Sequence, residues 1–338
     1  MISYLLYPSW IKPEIIPGLP IRWYGLMYLV AFLIAYWLFK YQIKERKLKV
    51  NNDDVLNLFF WSIIGLLIGA RAFAVTIYDP TGYYLHHPLQ IIVPFARVNG
   101  RLIFTGIQGM SYHGGLVGVL TVFIIYCRVK KINTRDWGDM AVAAIPLGYT
   151  FGRLGNFING ELYGRVTTAP WGMIFPHAQK FPASETWVQE FAAKLGINTA
   201  GMSMVNLPRY PSQLFEAFFE GFFLWLVMWF ILRKIKTFKG FLISCYIIGY
   251  GIIRFFIEYI REPDIGIGYP IQLVHLDNPI YQFSPWNFTT GQILNFFMII
   301  GGVIALIIFK AVADREKGTE SVREKGRMNS RKLKKRIK

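Results

Sequence analysis

An apolar segment that begins near residue 139 closes with the stretch Gly152-Arg153-Leu154-Gly155-Asn156-Phe157-Ile158-Asn159-Gly160-Glu161. A charged side chain at the centre of a membrane-spanning helix costs about 2.5–3.5 kcal/mol on insertion scales. Such residues usually face the interior of a helix bundle or a polar cavity rather than lipid. The stretch therefore predicts a membrane protein whose helices enclose a site for a polar, anionic ligand.

The overall composition agrees with a membrane protein. The chain of 338 residues is 54% hydrophobic and only 17% charged, whereas a soluble domain carries about 25% charged residues. A helix needs about 20 apolar residues to cross a bilayer. We predict an all-α polytopic membrane protein with seven transmembrane helices, over about 21–39, 55–78, 114–127, 139–157, 213–232, 241–259 and 292–309.

The basic residues predict the orientation of these helices. The formal net charge is +17, and 25 of the 37 lysines and arginines follow the first, third, fifth and seventh predicted spans. Cytoplasmic loops carry an excess of lysine and arginine. We therefore expect the N-terminus outside and the C-terminus in the cytoplasm. A charge distribution of this kind argues against nucleic acid as a partner.

We expect an integral membrane domain over residues 1–313 and a basic cytoplasmic tail over 314–338. The tail is predicted to be disordered or a surface helix. Residues 162–209 are predicted to form a small extracytoplasmic subdomain with one short helix over about 185–195. No positively charged region precedes the first apolar run, so a cleavable signal peptide is not expected. Cys127 and Cys245 map to cytoplasmic span ends and are not expected to pair.

Two polar groups within the spans are the main candidates for a site. Arg153 and Asn156 are three residues apart and share a helix face, and Asn159 and Glu161 follow at the end of that helix.

Further along, Tyr250, Arg254, Glu258 and Arg261 step by four, four and three residues and form one stripe. An internal Arg254–Glu258 ion pair is one interpretation of this stripe. A carboxylate that holds an arginine in position for a phosphate is the other.

Further candidates lie near other span ends. His113 sits beside glycines at the start of the third span, and histidine is the commonest general base; a structural role is the alternative. Tyr24 lies in an aromatic segment at the entry to the first span, and residues 210–216, with Glu220, suit a helix start. Arg71 is a further arginine within a span. The chain has no H-E-x-x-H motif and no paired histidine spacing, so we expect no metal and no other cofactor.

All of these groups map to the predicted outer ends of their helices. Packing of the helices should then bring the arginines into one cationic pocket. Guanidinium groups bind phosphate through paired hydrogen bonds, and a phospholipid headgroup is an anion available at that depth. The pattern predicts a site for such a headgroup.

Together these motifs resemble the prolipoprotein diacylglyceryl transferase family of bacterial inner membranes. The resemblance rests on residues 23–28, 113–116, 152–164, 210–216 and 250–264, which occur in the family's order. One departure is Tyr210, where family members often carry histidine before Pro-Ser-Gln.

The resemblance implies transfer of the diacylglyceryl group of phosphatidylglycerol to the lipobox cysteine thiol of a preprolipoprotein. The products would be a thioether-linked diacylglyceryl protein and glycerol phosphate. The expected partners are phosphatidylglycerol, preprolipoprotein signal peptides and membrane lipids, with no cofactor. By motif, the expected catalytic residues are His113, Arg153, Arg254 and Glu258, and the expected substrate-binding residues are Tyr24, Asn156, Asn159, Glu161, Tyr250 and Arg261.

A membrane lipid transporter or flippase is the main alternative, because it would also need buried arginines around a headgroup. Such proteins usually show internal repeats or paired discontinuous helices near the midplane. Here the polar groups cluster toward one predicted side. An intramembrane hydrolase is a weaker alternative, since no convincing nucleophile constellation is present.

Overall fold

The computed structural model describes residues 4–16, 18, 21–77, 79, 82–91, 93, 95–98, 101–104, 109–235, 237–263, 268–278 and 281–336. Within them, a helix occupies each of the seven predicted span positions. In chain order the helices are α1 (Trp23–Glu45), α2 (Asn52–Thr76), α3 (Tyr83–His86), α4 (Tyr112–Val129), α5 (Thr134–Asn159), α6 (Thr186–Lys194), α7 (Ser212–Lys234), α8 (Phe241–Ile257) and α9 (Thr290–Arg336).

Five of these helices are long and apolar enough to cross a membrane, namely α1, α2, α4, α7 and α9. Helix α8 is apolar but has only 17 residues. Helix α5 has 26 residues and an internal proline, Pro146, and its charged and amide side chains lower its hydropathy. The chain is therefore a mostly helical, polytopic membrane protein.

Short strands supplement the helices, so the structure is not purely α. They are β1 (Leu5–Leu6), β2 (Phe95–Val98), β3 (Arg101–Phe104), β4 (Met173–Ile174), β5 (Phe181–Pro182), β6 (Met204–Val205), β7 (Ile271–Gln272) and β8 (Asn287–Phe288). Among the described residues they form four two-stranded pairs: β1 with β4 in parallel, and β2 with β3, β5 with β6 and β7 with β8 antiparallel. All of these strands lie in segments that precede or connect the long helices, where the backbone N–H and C=O groups need hydrogen-bond partners.

The chain divides into two compact units, one formed by the residues up to Leu38 together with those from Gly138 onward, the other by Phe39–Trp137. In the second unit, α2 packs on α4 through glycines. A Cβ atom on Gly118 would overlap the carbonyl oxygen of Gly65, and one on Gly69 would overlap that of Gly114. Each helix thus contributes a small-xxx-small face, which allows two backbones to approach closely.

In the first unit, α7 packs closely on α5. Residues Ala217–Phe223 and Val227–Ile231 of α7 form wider π turns, which interrupt the regular hydrogen-bond ladder of a helix. The Thr150 hydroxyl of α5 donates to the carbonyl oxygen of Ala217 at 3.2 Å. A Cβ atom on Gly221 would overlap Thr150. The π geometry therefore coincides with the closest contact between these helices.

A carboxylate from α5 caps the N-terminus of helix α8. Buried Asp139 accepts hydrogen bonds from the backbone N–H groups of Gly240 at 2.7 Å and Ile243 at 2.9 Å. These N–H groups lie in the first turn, where a helix leaves donors unsatisfied and a negative charge is favourable. Helices α8 and α9 also pack together, with Gly251 against Ile299.

The insertion between α5 and α7 has a small hydrophobic core of its own. It contains Val166, Phe181, Ala183, Val188, Phe191, Ala192, Leu195, Val205 and Leu207. Helix α6 lies within the predicted 185–195 segment, so that prediction is confirmed. The backbone of α9 stays helical through Arg336, which favours the helical alternative for the tail.

The glycine contact between α2 and α4 predicts the effect of adding one methyl group. We expect Gly118→Ala to lower stability by about 1–3 kcal/mol, because overpacking a close contact forces the backbones apart. Gly301→Ala in α9 is the matched control, since a Cβ atom there meets nothing within 4 Å. Thermal unfolding in one detergent would measure both variants. Equal unfolding temperatures for the two would contradict this packing.

Candidate active site

The end of α5 carries the first part of the site. The helix stops at Asn159, and Gly160 follows with a positive φ of 67°, a conformation that glycine adopts without strain. The hydroxyl of Tyr7 donates to the carbonyl oxygens of Phe157 at 3.1 Å and Ile158 at 2.9 Å. These bonds satisfy carbonyls that a helix end leaves free and hold the polar residues of this turn in place.

The carboxylate of Glu216 is the centre of the site. Its Oε2 atom lies 2.9 Å from Arg153 Nε and 3.1 Å from Arg254 Nη1, and its Oε1 atom lies 2.7 Å from Arg261 Nη1. The Glu216 side chain is fully buried, with 0% exposure. One carboxylate on α7 therefore binds three arginines, from α5, from α8 and from the turn after α8.

Two further carboxylates complete this group. Glu258 Oε1 lies 2.6 Å from Arg254 Nη2 and 3.3 Å from Arg261 Nε. Glu220, one helical turn beyond Glu216, lies 3.4 Å from Arg254 Nη1. We call Arg153, Arg254, Arg261, Glu216, Glu220 and Glu258 the arginine–glutamate cluster.

The cluster corrects the expectation of a cationic pocket. Its three guanidinium groups and three carboxylates have a formal charge of zero. Burying several unpaired guanidinium groups would cost several kcal/mol each, and paired carboxylates offset that cost. The arginines converge as predicted, but they do so around buried counter-charges.

Arg153 differs from the other two arginines in how it is held. Its Nε contacts Glu216 and donates to the hydroxyl of Tyr149 at 2.7 Å, and that hydroxyl in turn donates to Glu220. Its Nη1 makes one long hydrogen bond of 3.4 Å to Asn156 Oδ1. Among the described residues, the terminal nitrogens of Arg153 contact no carboxylate. Both of these nitrogens are available to an oxyanion.

A chain of amides extends from Arg153 to the end of α5. The side-chain nitrogens of Asn156 and Asn159 both donate to Glu161 Oε1 at 3.1 Å. The backbone carbonyl of Glu161 accepts from Gln213 Nε2 at 2.6 Å. The predicted residues of the first motif are therefore joined to one another and to the start of α7.

The two predicted tyrosines lie beside these groups. A Cβ atom on Gly155 would lie 3.3 Å from the Tyr24 ring, so the glycine lets α1 approach the polar face of α5. The Tyr24 and Tyr28 hydroxyls are 2.9 Å apart. The ring of Tyr250 packs edge-on against Tyr149, with centroids 6.0 Å apart.

The insertion holds the third arginine. The backbone of Gly164 forms a bridge with Arg261, and Arg165 N donates to the carbonyl oxygen of Ile260 at 3.1 Å. A Cβ atom on Gly164 would overlap that same carbonyl oxygen. Only glycine permits this approach, so the insertion fixes the turn that carries Arg261 into the cluster.

Two sequence candidates belong to the other compact unit. His113 lies exposed in the first turn of α4, and Ser111 caps that helix by accepting a hydrogen bond from Gly114 N at 3.1 Å. The guanidinium of Arg71 donates to the backbone carbonyls of Gln90, Ile91 and Gly109. Arg71 therefore ties loop backbone together, and the role of His113 stays a prediction.

Three members of the site were not assigned a catalytic or substrate-binding role from the sequence, although Glu216 and Glu220 belong to a segment predicted to start a helix. Glu216 and Glu220 lie one turn apart on an otherwise apolar helix, a spacing that places both on one face. Three predicted arginines also needed more counter-charge than the two predicted carboxylates, Glu161 and Glu258, provide. Those two signals could have identified the pair. Nothing in the sequence marks Tyr149 as the link between Arg153 and Glu220.

Fold and site together define a polytopic membrane protein with a buried polar centre, as found in enzymes and transporters that act within a membrane.

The sequence comparisons identify the family. The profile of the prolipoprotein diacylglyceryl transferase family matches residues 13–308. The phosphatidylglycerol–prolipoprotein diacylglyceryl transferase of Treponema denticola is 51% identical over 323 residues, which cover 91% of this chain and 95% of the relative.

Proteins of the same name show a similar match in two further organisms. The one from Treponema pallidum is 47% identical over 326 residues, covering 92% of this chain and 97% of the relative. The one from Chlorobaculum tepidum is 41% identical over 309 residues, covering 91% and 93%. The chain belongs to the prolipoprotein diacylglyceryl transferase family.

The central position of Glu216 predicts a large effect of removing its charge. We expect Glu216→Gln to destabilise the protein by about 3–5 kcal/mol, because three buried guanidinium groups lose their shared partner. Glu190→Gln makes the same chemical change at an exposed position on α6 and should shift stability by no more than about 0.5 kcal/mol. Thermal unfolding in detergent compares them. Similar unfolding temperatures would exclude the proposed dependence on Glu216.

Proposed function

We propose that this protein transfers the diacylglyceryl group of phosphatidylglycerol to the lipobox cysteine of a preprolipoprotein. The family match and the names of the relatives support the reaction. The contacts of Arg153 support a role for this site. Its Nε is held by Glu216 and Tyr149, while its terminal nitrogens contact no carboxylate among the described residues. A phosphate is the oxyanion that this fork of donors fits.

The reaction breaks one bond and forms one. The cysteine sulfur attacks the carbon of the diacylglyceryl group that carries the phosphate ester. A carbon–sulfur bond forms, the carbon–oxygen bond breaks, and glycerol phosphate leaves with the bonding electron pair. The thiol proton passes to a base and then to the phosphate or solvent. No covalent intermediate on the protein is required.

The arginines act on the charge of the leaving group. Arg153 donates to the phosphate oxygens, and Arg254 adds positive charge beside it. Buried donors that are already in position stabilise developing charge strongly, because little reorganisation is needed during the reaction. Glu258 and Arg261 hold Arg254 and Glu216 in this arrangement, since Glu258 contacts both arginines.

The remaining predicted residues orient the substrates. Asn156, Asn159 and Glu161 form the amide chain beside Arg153, which suits the hydroxyl groups of the lipid headgroup. Tyr24 and Tyr250 supply hydroxyl donors. His113 takes the thiol proton or assists the leaving group. The first role is useful because the thiolate is the nucleophile and a free thiol has a pKa of about 8.5.

The topology belongs to the same proposal. The seven long helices cross the bacterial inner membrane, with the N-terminus outside and the C-terminus in the cytoplasm. The site then faces the extracytoplasmic side. Residues 1–313 form the membrane domain, in which 162–209 is an extracytoplasmic subdomain, and 314–338 form the cytoplasmic tail.

The direct test combines the purified protein, phosphatidylglycerol and a lipobox peptide. Mass spectrometry should detect a diacylglyceryl group on the cysteine, and a peptide with serine in place of that cysteine should remain unmodified. Movement of labelled phosphatidylglycerol between vesicle leaflets with no adduct would instead identify a flippase.

Replacing Arg153 by lysine tests the phosphate contact. Arg153→Lys keeps the charge but loses the planar fork, so we expect the transfer rate to fall about 100-fold, the scale of losing an oxyanion donor. Arg315→Lys, at an exposed position on α9, should retain full activity. Full activity of the Arg153 variant would remove phosphate binding from that residue.

The role of His113 has a separate test. We expect His113→Gln to lower turnover at least about 100-fold, as loss of a general base does, and to change how the rate depends on pH near neutrality. His275→Gln is the control, because His275 is 87% exposed. Turnover that is unchanged across the pH range would exclude His113 from the proton transfer.

A further inference from the structure

An open cavity of about 430 Å³ lies beside the end of α5. Its polar lining residues are Lys12, Glu14, Arg22, Asn159, Glu161 and His177. Two of them, Asn159 and Glu161, belong to the amide chain that leads to Arg153. The cavity and the arginine–glutamate cluster are thus the two ends of one continuous polar path.

The basic side of the cavity is built by the segment before α1. Trp23 N donates to the carbonyl oxygen of Pro13 at 2.9 Å, Ile15 N donates to that of Ile21 at 2.9 Å, and Glu14 forms a backbone bridge with Arg22. This pairing ties the segment to the first turn of α1. Lys12 and Arg22 thereby reach the same cavity, where both can contact an anion.

The opposite side is rich in acceptors. Asn159 Oδ1 is buried and has no hydrogen-bond partner among the described residues. Its Nδ2 is already used by Glu161, at 3.1 Å. An unpaired buried acceptor is costly, and a hydroxyl group is the simplest donor that would satisfy it. The carboxylate of Glu161, on the same side, can also accept hydrogen bonds from hydroxyls.

We infer that this cavity binds the released glycerol phosphate after it leaves Arg153, with the phosphate at Lys12 and Arg22 and the glycerol hydroxyls at Asn159 and Glu161. The inference rests on the proposed function, because glycerol phosphate is the product that this reaction releases. Lys12 and Arg22 are balanced by Glu14 and Glu161, so binding is weak. Weak binding suits a group that has to leave after each turnover.

Product inhibition of the full-length protein in detergent tests this site. Initial rates of diacylglyceryl transfer are measured with added glycerol phosphate, inorganic phosphate or glycerol. Glycerol phosphate should inhibit at lower concentrations than either of its parts. Arg22→Gln and Lys12→Gln should each raise its inhibition constant about two- to fivefold, the effect of losing one exposed ion pair. Lys194→Gln, at an exposed position on α6, should leave that constant unchanged.

The same variants distinguish the two sources of the group. If only the inhibition constant rises, the cavity holds the released product, as inferred. If the KM for phosphatidylglycerol rises together with it, the cavity holds the headgroup before reaction, and the inference is overturned. Inhibition constants of both variants equal to that of the unmodified protein would overturn the inference.

A binding measurement separates this inference from the proposed function. Titration of the unmodified protein with glycerol phosphate, followed by phosphorus NMR, should show saturable line broadening that Arg22→Gln weakens. Absence of a thioether adduct would contradict the proposed function even if glycerol phosphate still binds. Absence of glycerol phosphate binding would contradict the inference even if the adduct forms.

Discussion

The contact of one buried carboxylate with three arginines is the constraint on which the rest of the site depends. Three guanidinium groups repel one another, and leaving any of them unpaired in a low-dielectric interior is costly. Glu216 contacts Arg153, Arg254 and Arg261 at 2.7–3.1 Å. Glu220 and Glu258 supply the remaining negative charge. Helices α5, α7 and α8 can converge because this contact exists.

The features around the cluster serve this convergence. The close approach of α5 to α7 accompanies a π turn and the Thr150 hydrogen bond to Ala217. The insertion holds the turn after α8 through Gly164. Each element fixes the backbone beside one arginine. The site is therefore preorganised, which is the condition under which fixed charges act strongly on a reacting phosphate.

Helix positions could be predicted from the sequence because each depends mainly on a local run of apolar residues. The same holds for α6, whose apolar residues and bounding loops lie within one short segment. The arginine stripe could be predicted from its spacing as well. The expected cationic character of the pocket was wrong, because charge balance depends on which helices meet. Glu216 comes from a different helix than any arginine it contacts, and no local pattern specifies that pairing.

A structure of the protein with bound phosphatidylglycerol would test the central claim most directly. The account predicts that the lipid phosphate lies within hydrogen-bond distance of the Arg153 terminal nitrogens while Glu216 still contacts Arg153 Nε. A phosphate bound away from Arg153, with the arginine–glutamate cluster unchanged, would contradict it.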